Sequence, residues 1–198
     1  MAAAVTPLAQ PPAEQRILLN NIAWKDYVLT REVLDGPGVR MTYLRGALEL
    51  MSPSSEHELW KKNVARLVEL YAHIERIELY GYGSTTFKKE AKQRGAEPDE
   101  CYLVGKKLTD MPEIALEVIH TSPLVDKLDV YAGMGISEVW VFREGAFAIH
   151  VLDRAKGRYD VRSSSPLLPG LDFVAVARYA VREDTPQALR EFEQHVRG

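Results

Sequence analysis

Ile114-Ala115-Leu116-Glu117-Val118-Ile119 is an apolar run with one carboxylate set inside it. Its β-branched and aliphatic residues, bounded by charge and loop signals, read as a strand. Burying an unpaired ionised group in such a strand costs several kcal/mol, so something must pair with Glu117. Upstream, Asp99 stands in Glu97-Pro98-Asp99-Glu100, at the start of a second predicted strand, Pro98 to Val104. Downstream, Lys127 opens a predicted helix after the loop His120-Thr121-Ser122-Pro123. A divalent cation held between two carboxylates beside a lysine is the arrangement that metal-dependent phosphodiester hydrolysis needs.

The remaining organisation surrounds this pair. Residues 1–16 read as an Ala, Pro and Gln-rich tail and 17–198 as a single domain. Trp24 to Leu34 forms a short helix that stops before the breakers Asp35-Gly36-Pro37-Gly38. Val39 to Leu44 and Ala47 to Met51, separated by Arg45-Gly46, give a hairpin. Ser55 followed by Glu58 fits a capping box, and Trp60, Val64, Leu67, Tyr71 and Ile74 then recur at helical spacing. Further strands are expected at Ile77 to Tyr80, Ser84 to Phe87, Val139 to Phe142 and Phe147 to Val151. Helices are expected at Asp126 to Ala132, ending at Gly133 and Gly135, and from Thr185-Pro186 through Leu189, Phe192 and Val196.

The bulk numbers exclude some classes. A chain of 198 residues with 46% hydrophobic and 27% charged residues suits one globular domain with a full core. No apolar run approaches the roughly 18 residues of a membrane span, and Met1 to Gln10 lacks a signal-peptide pattern, so a cytoplasmic protein without a membrane partner is expected. One cysteine, Cys101, rules out an internal disulfide and any multi-cysteine zinc site. A metal must then be held by oxygen ligands or histidine. The net charge of −3 argues against coating nucleic acid by bulk electrostatics but leaves room for a local basic groove.

Strand alternation groups Asp99 with Cys101 and Leu103. If that face meets the one carrying Glu117, the two carboxylates chelate Mg²⁺ or Mn²⁺; the alternative is that either acid caps a turn or pairs with an arginine. Lys127 either swings back to offset charge on a phosphorane-like transition state or is a solvated surface residue. Glu56 and His57 open the long helix beside its core-facing stripe and can reach a site at the strand ends, although the helix dipole already favours an acid there. His120 points away from Glu117 by strand parity, and Cys101 reads as packed rather than nucleophilic.

Several segments together resemble a known family. Leu48-Glu49-Leu50-Met51-Ser52-Pro53 with Glu56-His57, Glu97-Pro98-Asp99-Glu100-Cys101, Glu117-Val118-Ile119, Asp126-Lys127-Leu128-Asp129-Val130-Tyr131 and Gly135-Ile136-Ser137-Glu138-Val139-Trp140 occur in that order. They are similar to the Uma2-like restriction endonucleases of the PD-(D/E)xK nuclease superfamily, over about Trp24 to Tyr179. Pro98-Asp99 looks like the PD half-motif and Glu117 like the (D/E) position. Ile119 stands where the motif lysine would be, and Lys127 matches the place to which that lysine is thought to have moved in similar proteins. The resemblance implies an α/β fold with a restriction-endonuclease-like mixed β-sheet flanked by helices, preceded by the N-terminal helix and hairpin. It also implies dependence on Mg²⁺ or Mn²⁺ and, often, a homodimer. The expected function is a metal-dependent endonuclease acting on DNA, with Asp99, Glu117 and the Val118 carbonyl as ligands and Lys127 as electrostatic catalyst. A catalytically degenerate nucleic-acid-binding or interaction protein, and a hydrolase of another phosphoester, are the alternatives.

Overall fold

The structure, a computed structural model, describes residues 14–34, 36, 38–108 and 110–198. Most of the expected tail and positions 35 and 37 of the breaker run lie outside them. The strands β1 (Gln15–Leu19), β2 (Arg40–Leu44), β3 (Ala47–Ser52), β4 (Leu79–Gly81), β5 (Phe87–Lys89), β6 (Arg94–Ala96), β7 (Glu100–Val104), β8 (Ile114–Ile119), β9 (Glu138–Arg143), β10 (Ala146–Asp153) and β11 (Arg158–Arg162) alternate with helices α1 (Trp24–Val33), α2 (Ser55–Ile74), α3 (Lys127–Met134), α4 (Phe173–Ala180) and α5 (Thr185–Arg197). They build two sheets where one was expected: a five-stranded antiparallel sheet in the order β1-β3-β2-β6-β5, and a six-stranded sheet in the order β11-β10-β9-β8-β7-β4. The larger sheet is mixed, because β8 and β9 run parallel. Their connection crosses through α3, as a parallel pair requires.

The residues of β8 explain the layering. Leu116 and Val118 face the helical side, in one core with Val64, Val68, Trp140, Phe142 and Phe173. Ala115 faces the other side, with Val130, Tyr131 and Met134 of α3 and Ala96 of the smaller sheet. A strand covered on both faces reads as a continuous apolar run, which is why β8 shows no polar alternation. Glu117 is therefore held on the α3 face, between the two sheets.

The structure corrects several sequence expectations. The tail ends earlier than residue 16, because Gln15 and Arg16 already pair with Ser52 and Met51 as part of β1. The cap of α2 is Ser54, whose hydroxyl accepts from the His57 N–H at 3.1 Å, so Ser55 is the first helical residue and His57 takes the place that a capping box gives to Glu or Gln. Glu58, freed from that role, pairs with Lys61 at 2.6 Å. Four elements were not expected: β1, β6, β11 and α4. The α4 segment, Phe-Val-Ala-Val-Ala-Arg-Tyr-Ala, mixes two Val and two aromatic residues with three Ala, an ambiguous signal. Asp172 resolves it by accepting from the Val174 and Ala175 N–H groups, both at 3.0 Å, and starting a helix. The expected stop of α3 is borne out at Gly135, its cap at φ 87°, while Gly133 lies inside the helix, which runs to Met134 rather than Ala132. Among the described residues no helix is long and apolar enough to cross a membrane.

Candidate metal and nuclease site

Asp99 lies in the bend just before β7 rather than within the strand. Its N–H still donates to the Leu116 carbonyl at 3.1 Å, and since Glu100 pairs with Leu116, the next step of the register sets Asp99 across from Glu117. Both acids are nearly sealed off, Asp99 at 1% and Glu117 at 2% exposure. Strand pairing thus brings together the two carboxylates that the sequence singles out.

Each acid has partners from a different element. The Oδ2 atom of Asp99 accepts from the Val118 N–H at 2.8 Å and lies 3.2 Å from His57 Nε2, supplied by the first turn of α2. Its Oδ1 atom is buried with no hydrogen-bond partner. Glu117 accepts from Lys127 Nζ at 2.6 Å through Oε2 and from the Tyr131 hydroxyl through Oε1. Lys127 is the first residue of α3, capped by the Asp126 side chain, which accepts from the Asp129 N–H at 3.0 Å. The expected swing of Lys127 back toward β8 is therefore made by the helix start itself.

Burial alone would raise the Asp99 pKa, but the adjoining His57, the Lys127 charge and the Val118 N–H hold it below the ordinary carboxylate value. His57 moves the opposite way: burial disfavours its charged form, but Asp99 and Glu58 raise it to about 9. Glu117 is raised, chiefly by burial and by the Asp99 charge, with Lys127 and Tyr131 working against the shift. Lys127 is raised despite its burial, because Glu117 and Asp99 face it. The cluster thus holds two acids opposed by two cations, a nearly neutral arrangement in a dry interior.

These shifts make stability depend on pH. A histidine raised to about 9 contributes stability that is fully present below its unfolded value near 6.5 and is lost as pH climbs through 9. Lowered Asp99 contributes above its unfolded value, near 3.9, and fades as pH falls through its folded one. In chelator, the stability gap between wild type and His57→Gln is expected to be widest around pH 5 and to shrink by pH 9 by an amount on the order of a few kcal/mol. Urea unfolding at both pH values measures it, and a gap independent of pH would show that His57 is neutral when folded.

Glu56 does not join the site. It is 65% exposed, and its carboxylate lies 3.9 Å from His120 Nδ1. His120 lies away from Glu117 as expected, but stacks on Trp60 with ring centroids 4.2 Å apart and comes within 5.9 Å of His57. Cys101 is buried and its thiol is pushed up to about 12 by burial, which leaves it packed and unreactive. Val118 touches Asp99 through its N–H.

Two functional side chains escaped the sequence reading. Tyr131 stands four residues after Lys127, one helical turn along the same face of α3, and that spacing was the available signal. Glu49 of β3 is buried at 1% exposure and accepts from the Leu124 and Val125 N–H groups, while pairing with Arg16 of β1. It clamps the chain just ahead of α3 and so sets where Lys127 begins. Nothing in Leu-Glu-Leu-Met-Ser-Pro marks that role, because its partners are backbone groups far along the chain.

Two clefts reach the acids. One of about 430 Å³ is lined by Glu117, Lys127, Ile119, Leu124, Val141 and His150. The other, about 420 Å³, is lined by Asp99, Glu58, Lys61, Lys62, Ser84 and Glu100. Among the described residues, no group of three or more His, Cys, Asp or Glu side chains is arranged to hold a metal ion. A Mg²⁺ site needs fewer protein ligands: one or two carboxylates suffice when waters and substrate phosphate complete the shell. The buried Asp99 Oδ1, without a hydrogen-bond partner, fits such a donor set.

Residues 24–177 match the Uma2 family, described as "Putative restriction endonuclease". A crystal structure described as a putative nuclease belonging to DUF820, from Anabaena variabilis, is similar with a TM-score of 0.51 at 9% sequence identity, covering 86% of this chain and 99% of that one. At that identity the likeness is one of fold. No curated protein matches the chain.

Proposed function

The chain belongs to the Uma2 family, and from that premise we propose that it is a metal-dependent endonuclease hydrolysing DNA phosphodiester bonds. The observation that carries the reading is the buried Asp99 Oδ1 without a partner, set across β7 and β8 from Glu117, with Lys127 beside Glu117. Asp99, Glu117 and the Val118 carbonyl would hold Mg²⁺ or Mn²⁺, which when bound supplies Lewis-acid polarisation of a phosphoryl oxygen and an acidified water. Lys127 keeps a positive charge in the wall of the cleft, where it offsets the charge growing on the phosphate oxygens. His57 and the Val118 N–H orient Asp99, and Tyr131 orients Glu117; these are positioning residues.

A second reading is favoured by one specific observation. Both Glu117 oxygens are engaged by Lys127 and Tyr131, which suits a degenerate scaffold that keeps the cluster for stability and binds nucleic acid without turnover. Metal binding separates the two. Under the first reading, Mn²⁺ binds only the folded protein and relieves repulsion between the acids, so at 100-fold excess over Kd it adds about 2.7 kcal/mol of stability. That rise in melting temperature is expected in wild type and absent in Glu117→Gln. An equal rise in both proteins would put the metal elsewhere and leave the second reading standing.

A further inference from the structure

The cleft that Glu117 and Lys127 share with the loop before α3 has more apolar surface than a metal or a phosphate can use. Ile119, Leu124, Val139 and Val141 line it, and Leu124 is left 49% exposed at its side. Its volume of about 430 Å³ lies in the range of pockets that enclose small organic ligands. A phosphodiester strand carries one group of matching chemistry within reach of its own phosphates: the nucleobase, with apolar faces and a hydrogen-bonding edge. In a duplex those faces are covered by stacked neighbours, so only an unpaired or extruded base can enter such a cleft. We infer that this cleft is a base-binding subsite, and that the substrate presents an unpaired nucleobase beside the phosphate held at Glu117 and Lys127. The inference rests on the nuclease reading and narrows its substrate class.

Two further features agree. His150 of β10 also lines the cleft, and burial lowers its pKa, so near neutral pH its imidazole offers one donor and one acceptor to a base edge. The cleft on the Asp99 side is lined by Glu58 and Glu100 as well as Lys61, Lys62 and Ser84, and since Lys61 is paired with Glu58 at 2.6 Å, Lys62 and Ser84 are the groups suited to a flanking phosphate.

Fluorescence anisotropy with short labelled oligonucleotides in chelator tests the subsite, and Mn²⁺-started cleavage of the same oligonucleotides tests the nuclease reading. Wild type is expected to bind a single strand roughly tenfold or more tighter than the matching duplex or an abasic single strand of equal length. Leu124→Ser, at a half-exposed position that folding tolerates, and Val141→Phe, which fills the cleft, are expected to bring that ratio toward parity. Equal binding of the abasic and intact strands, or a full preference in both variants, overturns the inference. Cleavage without preference for unpaired bases keeps the nuclease and removes the subsite. Preference without cleavage does the reverse.

Discussion

Lys127→Met is expected to destabilise the fold by about 3–5 kcal/mol in metal-free buffer, and adding Glu117→Gln to the same chain is expected to recover most of that loss. The cost comes from what is left behind. Glu117 is 2% exposed, and without Lys127 it keeps only the Tyr131 hydroxyl as a partner. Breaking one side of a buried ion pair leaves an uncompensated charge in low dielectric, whereas replacing both sides with neutral groups of similar shape is close to neutral. Since burial already raises the Glu117 pKa, the single variant takes up a proton there more readily, and its deficit should narrow as pH falls. Urea unfolding of wild type, both single variants and the double variant gives the coupling energy directly. Additive losses would show that Lys127 and Glu117 do not depend on each other. Any effect of Lys127 on turnover must therefore be read per folded molecule.

That coupling also shows how far the sequence could be read. The carboxylate inside Ile-Ala-Leu-Glu-Val-Ile demanded a partner, and the lysine opening the next helix was a sound choice, because a short crossover returns α3 to the end of β8. The same demand applies to Glu49 and Glu138, which are equally buried, yet protein groups satisfy both. Glu138 accepts from Trp140 Nε1 at 2.8 Å, Ser165 Oγ at 2.6 Å and the Leu167 N–H at 2.9 Å. A buried acid in a strand is thus a sign of pairing, and only an unpaired oxygen such as Asp99 Oδ1 separates a candidate ligand from a structural brace. Sequence periodicity carries no such atom-level information. Helices α1, α2, α3 and α5 and the larger sheet except β11 were legible because their apolar positions are continuous or regularly spaced. In the smaller sheet the β2–β3 hairpin was legible but β1 and β6 were not, because they are short and owe their conformation to pairing with β3 and β2. Position on a helix likewise could not separate His57, which turns into the core, from Glu56, which turns out to solvent.

Asp99→Asn is expected to lower single-turnover DNA cleavage by about 10³-fold or more at saturating Mn²⁺, since metal catalysis of this kind is worth several kcal/mol in the transition state. The substitution keeps the shape of the side chain, so its carbonyl oxygen can still accept from the Val118 N–H. What it removes is the charge, and with it the reason for His57 to stay protonated. The variant should fold, because the His57 charge that Asp99 holds has a neutral form available, so no unpaired charge need stay buried. Loss of cleavage in a folded variant therefore reports on the site and not on the scaffold. Purifying wild type and variant side by side sets the background from contaminating nucleases, and withholding metal sets the uncatalysed baseline. If Asp99→Asn cuts as fast as wild type, Asp99 is not a ligand to a catalytic ion and the pairing of β7 with β8 has no role in turnover. If it is inactive while Lys127→Met retains the wild-type rate per folded molecule, the metal site stands and Lys127 acts only through the stability of Glu117.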